Sequence, residues 1–355
     1  MTKQLMKGNE VVAEAALQAG CKFYAGYPIT PQNEIPEYMS KRAPDFNAVF
    51  IQAEAELSAI NMLFGASAAG FRCMTSSSSP RISLKQEGIS YIAAAELPCV
   101  IINMVRGGPG LGNIRASQAD YFQSVKGGGH GDYHMIVIAP STVQEAYDLT
   151  MNAFDYADHY RNPVMILGDG ILGQMFEPFE IKPYKPILKI PEKNYILTGC
   201  KGRDPRIIYT LLLDPPDLLV KHNIKLNEKY QRIKKELNLV ETWQTEDADI
   251  IIVAYGITGR IAKAAIKKAR NEGLKVGLIR PITVWPFPSE TISKAADKTK
   301  KFLVVEMSNG QLIEDVKLSL FGKSGIQVGH FGIGGGWYPS PNNIYEKIKQ
   351  LIFSS

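Results

Sequence analysis

The chain has 355 residues, of which 45% are hydrophobic and 21% charged, and its formal charge is +5. These values exclude a disordered or collagen-like chain and leave room for two domains, each with its own core. The basic residues are scattered, with no dense run interleaved with aromatics, which argues against a nucleic-acid surface. The longest apolar run, Cys99–Val105 with Asn103 inside it, is too short to span a bilayer.

The segment MTKQLMKGNEVVAEA enters an amphipathic helical pattern almost at once and lacks the apolar core of a secretion signal, so a cytoplasmic location is expected. The first 180 residues then alternate short β-rich runs with helix-length segments. Strands are predicted at Lys22–Tyr27, Ala48–Gln52, Arg72–Ser76, Cys99–Val105, Met135–Ala139 and Val164–Leu167, with helical stretches at Ala53–Ala69, Ile82–Ala95 and Val143–Tyr156. Near-continuous apolar strands alternating with helices predict a parallel sheet covered on both faces. Residues 177–195 carry four prolines and read as an extended connector. It opens a linker or arm over 181–245 that includes the charged helical stretch KLNEKYQRIKKEL. Alternation resumes at Ile250, with strands predicted at Ile250–Tyr255, Lys275–Ile279, Phe302–Val305 and Ile326–Gly329. A second, smaller α/β domain is therefore expected over 246–355.

Ligands in α/β folds bind at the carboxyl ends of parallel strands, so the segments after each strand are the places to search. Gly107–Gly112, GGPGLG, lacks the strong helix start and downstream acid of a dinucleotide fingerprint, and Pro109 removes a backbone donor. It reads better as a turn that lets backbone approach a ligand or partner. The GKS at Gly322–Ser324 is no P-loop, because Lys317 stands where the first glycine is required. Gly168–Gly170, GDG, is followed by the proline-rich connector, which cannot supply the helix of a metal–diphosphate site, and a strand ending in a tight turn is the plainer reading. The GGGHGDYH run at Gly127–His134 lacks a third metal ligand and reads as a flexible loop near the active site, with His130 as a polar contact. The cysteines, Cys21, Cys73, Cys99 and Cys200, show no CxxC spacing, so neither zinc nor an iron–sulfur cluster follows from local spacing. Cys73 and Cys99 lie in strand-like runs and read as buried thiols.

Three strand-end segments remain: Tyr27-Pro28-Ile29-Thr30-Pro31, Gln52-Ala53-Glu54-Ala55-Glu56 and Val105-Arg106-Gly107-Gly108. With QAEAELSAINMLFGAS, MTSSSSP, LKQEGISYIAAAELPCVIINMVRGGPGLGN, KGGGHGDY, RNPVMILGDGILGQ and, later, VAYGITGRIAKAAI and GLIRPITVWPFP, they give the chain a resemblance to the α-type subunit of the 2-oxoacid:ferredoxin oxidoreductases. The resemblance is nearest to the 3-methyl-2-oxobutanoate (2-ketoisovalerate) members. It covers nearly the whole chain and implies a pyrimidine-binding domain of the thiamine diphosphate fold, followed by an α/β domain like the C-terminal domain of transketolases.

What the resemblance implies is specific. Glu54 corresponds to the glutamate that hydrogen-bonds the thiamine pyrimidine, with Tyr27, Pro28 and Ile29 beside the cofactor. A carboxylate at a strand end and helix start suits that role, although the helix dipole alone would also favour an acid there. Glu56, two residues on, is expected to be structural. Arg106 corresponds to the substrate-carboxylate arginine, a task suited to paired guanidinium donors. Thr30 corresponds to a substrate-contacting threonine and could equally cap the following helix. Gly107 and Gly108 are expected loop contacts. Arg81 stands where relatives have glycine, which leaves open a strained and reshaped loop or a contact with substrate or partner. Arg115 departs similarly.

The chain shows neither a convincing Mg²⁺–diphosphate motif nor a cysteine cluster, and relatives place both on a second, β-type subunit. Thiamine diphosphate is therefore expected to lie across an interface, with Mg²⁺ and an iron–sulfur cluster on the partner. Small γ/δ subunits are possible further components, and ferredoxin and CoA are the expected reaction partners. The implied reaction is oxidative decarboxylation of a 2-oxo acid to an acyl-CoA, with 3-methyl-2-oxobutanoate weakly favoured and 2-oxoglutarate as the alternative. An E1 β-type subunit of a lipoamide-linked dehydrogenase is a rival that the three strand-end motifs disfavour. A nonenzymatic nucleotide-binding or assembly module is a second rival, and it predicts that Glu54→Ala leaves activity untouched.

Overall fold

The computed structural model describes residues 3–212 and 215–353. A seven-stranded sheet dominates the first half. Its order is Thr283–Trp285, Ile136–Ile138, Val164–Asp169, Val100–Val105, Cys73–Ser77, Phe23–Gly26 and Val49–Gln52. All but the first run parallel. Every residue of Val100–Val105, Cys73–Ser77 and Val164–Asp169 is buried, as expected of central parallel strands covered on both faces. The helices Gly8–Gln18, Glu56–Ala68, Gln86–Ala94 and Val143–Tyr160 supply that cover. Thr142 starts the last of these by accepting the N–H of Glu145 at 3.1 Å.

The second half holds a five-stranded sheet in the order Gln327–Gly332, Lys301–Glu306, Ile250–Val253, Val276–Pro281 and Val240–Trp243. Helices Gly256–Asn271, Ser289–Ala295, Leu312–Ser319 and Pro341–Phe353 accompany it. The two halves are joined by side chains as well as by the chain. Gln118 donates to the Tyr255 carbonyl at 3.0 Å and accepts the N–H of Met307 at 3.0 Å. Tyr121 donates to Asp315 at 2.6 Å. The Arg280 guanidinium bridges Glu145 and Glu241 at 2.6 Å each.

Several elements differ from the sequence reading. Lys3–Lys7 is a strand, and the helix begins only at Gly8. The strand pairs antiparallel with Phe176–Glu180, the first part of the segment read as an extended connector. Val240–Trp243, inside the predicted arm, is an antiparallel edge of the second sheet. Thr283–Trp285, inside the predicted second domain, crosses over to extend the first sheet. All three are pairings between distant segments, which local periodicity does not report. The helix predicted over Ile82–Ala95 is broken into Pro80–Ser83 and Gln86–Ala94. The arm forms the helix Leu218–Glu236. Among the described residues no helix is long and apolar enough to cross a membrane. Cys21, Cys73 and Cys99 are buried and Cys200 is exposed.

Candidate active site

The carboxyl edge of the first sheet gathers the strand-end segments in adjacent order. Arg106 follows Val100–Val105, Ser78 and Ser79 follow Cys73–Ser77, Tyr27 follows Phe23–Gly26, and Glu54 follows Val49–Gln52. Neighbouring strands lie about 4.8 Å apart, so these groups form one row along the edge.

Arg106 is almost fully enclosed, at 6% exposure. Its Nη1 donates to the Thr30 carbonyl at 2.9 Å and its Nη2 to the Leu111 carbonyl at 2.9 Å. Its Nε is buried and finds no acceptor among the described residues, and no carboxylate there pairs with the guanidinium. Burial, and after it the nearby charge of Arg81, push its pKa below the ordinary arginine value. An enclosed cation with a spare donor and no counter-ion is suited to an incoming anion.

Thr30 stands in the turn after the first strand, at a cis Thr30-Pro31 bond, and its hydroxyl accepts from Asn33 at 3.4 Å. It lines a cleft of about 670 Å³ with Asn33, Arg115, Gln174 and Tyr338. In the same turn Ile29 is buried and Tyr27 and Pro28 are half-buried.

Glu54 is exposed in the link between Val49–Gln52 and the helix Glu56–Ala68. Its Oε1 accepts the Ser58 hydroxyl at 3.0 Å, and among the described residues it has no cation partner. Glu56 is different: it is 2% exposed, and its Oε1 receives Arg81 Nη1 at 2.9 Å. Two acids separated by one residue thus have opposite environments, one open and one spent on an internal ion pair.

Arg81 has ordinary helical geometry at the start of Pro80–Ser83, with its N–H on the Ser78 carbonyl at 3.0 Å, so the strain considered for this position is absent there. The strain falls two residues earlier, at Ser79, with φ 30° and ψ −90°. The Arg81 guanidinium lies over the Tyr27 ring, 4.6 Å from its centroid.

Gly107 and Gly108 belong to a loop that closes on itself. Gly107 N–H reaches the Arg115 carbonyl and Asn113 N–H reaches the Gly107 carbonyl, both at 2.9 Å. A side chain on Gly112 (φ +62°) would fall 1.7 Å from the Gly107 carbonyl oxygen, so closure requires glycine there.

His130 stands in the loop before the strand Ile136–Ile138, on the helix Gln86–Ala94. Its ring meets Tyr91 edge-on at 5.9 Å, and Ser90 donates to its carbonyl at 2.9 Å. The same loop packs on the first turn of the helix Gln86–Ala94, where Tyr133 donates to Gln86 at 3.2 Å. Asp169 of the GDG run caps the helix Gly170–Gln174, accepting the N–H groups of Ile171 and Leu172 at 2.8 and 3.1 Å. Burial raises its pKa to about 6.

The sequence reading missed Ser79, Asn103 and Asp120. Asn103 accepts the Ser79 N–H at 3.2 Å and donates to Asp120 at 3.0 Å, fixing the loop that carries Arg81. The one signal for it was a polar residue inside an otherwise apolar strand.

Family models match almost the whole chain. Residues 14–242 match the thiamine-diphosphate-binding model of the pyruvate flavodoxin/ferredoxin oxidoreductases, and residues 248–344 match core domain II of pyruvate:ferredoxin oxidoreductase. The ketoisovalerate oxidoreductase subunit VorB of Methanothermobacter marburgensis is 50% identical over 319 residues, covering 90% of each chain. A solved 2-oxoglutarate:ferredoxin oxidoreductase from Magnetococcus marinus superposes with a TM-score of 0.87 at 27% identity. The match covers 99% of this chain but 65% of that longer one. A split-gene transketolase β4 tetramer shares the fold, with a TM-score of 0.61 at 15% identity, covering 98% of both chains. The chain belongs to the 2-oxoacid oxidoreductase family whose members bind thiamine diphosphate and pass electrons to ferredoxin or flavodoxin.

Proposed function

We propose that this chain supplies the pyrimidine side of a thiamine diphosphate pocket and the substrate-carboxylate site of a 2-oxoacid:ferredoxin oxidoreductase. The substrate is 3-methyl-2-oxobutanoate, CoA accepts the acyl group, and ferredoxin takes the electrons. The observation that carries this reading is Arg106, enclosed, without a counter-ion and with a spare Nε donor beside Thr30. The half-identical ketoisovalerate subunit supports the choice of acid.

The residues of this chain fit the cofactor's pyrimidine. Glu54 offers an exposed carboxylate with no cation partner among the described residues, at a strand end of the sheet. Bound thiamine diphosphate supplies the nucleophile and the electron sink for decarboxylation. Glu54 holds a proton at the pyrimidine ring nitrogen, the proton control that general acid–base chemistry needs. Arg106 fixes the substrate carboxylate, and the Thr30 hydroxyl contacts its oxygens. Tyr27, Pro28 and Ile29 form the wall between them, and the Gly107–Gly108 loop closes the arginine's other side through Leu111.

In this reading residues 1–180 form the pyrimidine domain, 181–245 an arm, and 246–355 the transketolase-like domain. A β-type partner carries Mg²⁺, the diphosphate site and the iron–sulfur cluster, small γ/δ subunits complete the complex, and the assembly is cytoplasmic. The test is co-expression with the β-type subunit and assay of CoA-dependent viologen reduction against a panel of 2-oxo acids. Turnover of 3-methyl-2-oxobutanoate above the other acids is expected. A complex that reduces lipoamide but not viologen, or that turns over no 2-oxo acid, would sink the reading.

A further inference from the structure

Arg81 is a second guanidinium close to Arg106, and its surroundings decide what it does. Its Nη1 is committed to Glu56 at 2.9 Å, and Glu56 is 2% exposed. Its planar face lies on Tyr27, three residues before Thr30. Its side chain is still 34% exposed, so part of the guanidinium looks outward. Ser79, two residues before Arg81, receives the Arg106 N–H at 3.0 Å, so the two arginines are braced by one residue. Lys85, one turn further on, is fully buried with its Nζ on Thr75 Oγ1 at 2.6 Å.

The charges divide unevenly. Arg81 and Glu56 cancel, and Arg106 is left as the one uncompensated guanidinium among these groups. An arginine free of Glu56 would present two cations to the pocket, matching an acid with two carboxylates. Held by Glu56, it leaves Arg106 as the one enclosed guanidinium, with Arg115 exposed on the rim of the Thr30 cleft. Releasing it for a second carboxylate would strand Glu56 as a buried, unpaired anion, which is strongly unfavourable.

We propose that the Glu56–Arg81 pair is a specificity device that restricts the site to 2-oxo monocarboxylates by withholding the second guanidinium from the substrate. Arg81 is the specificity residue, and Glu56 positions it through the ion pair. The proposal rests on the assignment of Arg106 as the carboxylate site. It predicts that discrimination against dicarboxylates depends on Glu56, a residue that need not touch the substrate.

The experiment compares kcat/KM for 2-oxoglutarate and 3-methyl-2-oxobutanoate in the co-expressed complex. Glu56→Gln keeps the shape of the side chain but releases the charge of Arg81. The ratio of 2-oxoglutarate to 3-methyl-2-oxobutanoate use should rise by about tenfold or more. In the double variant Glu56→Gln/Arg81→Gln the ratio should return to near the wild-type value, which a general loosening of the fold would not produce. An unchanged ratio in Glu56→Gln overturns the proposal, as does a raised ratio that persists in the double variant. Should Glu56→Gln fail to assemble, Glu56→Asp decides: its shorter side chain loosens the pair while keeping the charge, so a raised ratio supports the proposal and an unchanged one overturns it. A wild-type complex inert toward both acids would instead condemn the functional assignment on which the proposal rests.

Discussion

Ser79 and Arg106 hold one another through two hydrogen bonds. The Arg106 N–H donates to Ser79 Oγ at 3.0 Å, and the Ser79 hydroxyl faces the Arg106 carbonyl at 3.3 Å. The serine reaches this position only with φ at 30°, a conformation that L-residues seldom adopt. Local strain is thus retained where it fixes the arginine that we propose receives the substrate carboxylate. Ser79→Ala keeps the strain and removes both bonds, leaving a buried donor and acceptor. A loss of about 1–3 kcal/mol in stability is expected, read as a lowered denaturation midpoint, together with a raised KM for the 2-oxo acid. An unchanged KM would mean that the brace is purely structural.

Arg106 itself should be intolerant even of lysine. Its two Nη groups are used by the Thr30 and Leu111 carbonyls, and the remaining donor lies on Nε, an atom that lysine lacks. Arg106→Lys keeps the charge but cannot make all three contacts. The expected loss in kcat/KM is about 10- to 100-fold, the equivalent of one charged hydrogen bond. The change should fall mainly on KM, because the guanidinium holds the carboxylate in the bound substrate, and that negative charge is lost from the group as it leaves as CO₂.

Glu54 should show the opposite kinetic signature. Its carboxylate is open and free of cations, while the neighbouring Glu56 is buried and paired. Glu54→Gln removes the proton-holding group without disturbing the core. A fall in kcat of about 10²- to 10⁴-fold is expected in the assembled complex, with the melting temperature nearly unchanged. Retained kcat would favour an assembly module over an enzyme subunit.

The sequence revealed the alternation of strands and helices well enough to place Thr30, Glu54 and Arg106 at strand ends, because buried parallel strands leave continuous apolar runs between helical periods. It separated Glu54 from a structural Glu56, but did not reveal that Glu56 is buried against Arg81, which arrives from the distant helix Pro80–Ser83. Nor did it reveal the strain at Ser79, since serine carries no mark of positive φ. Thr283–Trp285 was unreadable as part of the first sheet because its partner strand, Ile136–Ile138, lies more than a hundred residues away. The proline-rich connector was recognised by its prolines, but the means of holding it was not. Arg72, Asp155 and Asp158 do that work from two separate elements.

His134 gives a pH-dependent prediction. Its ring stacks on Trp285 at 4.5 Å and meets Tyr230 at 5.2 Å, and its Nδ1 is buried without a partner among the described residues. Burial first, and the nearby charge of Lys234 second, lower its pKa from 6.5 to about 4. A group with a depressed folded pKa stabilises the fold above its unfolded pKa, and that stability is lost as pH falls toward the folded one. The loss therefore develops between pH 6.5 and 4, with a slope of at most about 1.4 kcal/mol per pH unit. His134→Phe keeps the stack and removes the titration. Its melting temperature relative to wild type should rise as pH falls through that window and level off below it. A constant difference across the window would exclude the neutral, buried imidazole.

The connector after the first domain should detach when one arginine is removed. Arg72 is 13% exposed and binds Asp155 at 2.7 Å and Asp158 at 2.8 Å, both on the helix Val143–Tyr160 and both nearly buried. The same two carboxylates receive the connector: Asp155 accepts the Tyr184 hydroxyl and the Ile187 N–H, and Asp158 pairs with Lys193 at 2.8 Å. Arg72→Met leaves Asp155 with only these neutral donors and Asp158 with Lys193 alone. Breaking a buried pair from one side costs about 3–5 kcal/mol. The loss should appear as a lowered denaturation midpoint and as proteolytic cleavage within 181–195 at protease concentrations that spare the wild type. Replacing all three side chains by apolar residues of similar volume should recover part of the stability, because no buried carboxylate is then left unpaired, but not the connector's protection, because Lys193, Tyr184 and Ile187 lose their acceptors. If Arg72→Met is as resistant as wild type, the connector is held by its apolar contacts, and the buried carboxylates are satisfied by other means.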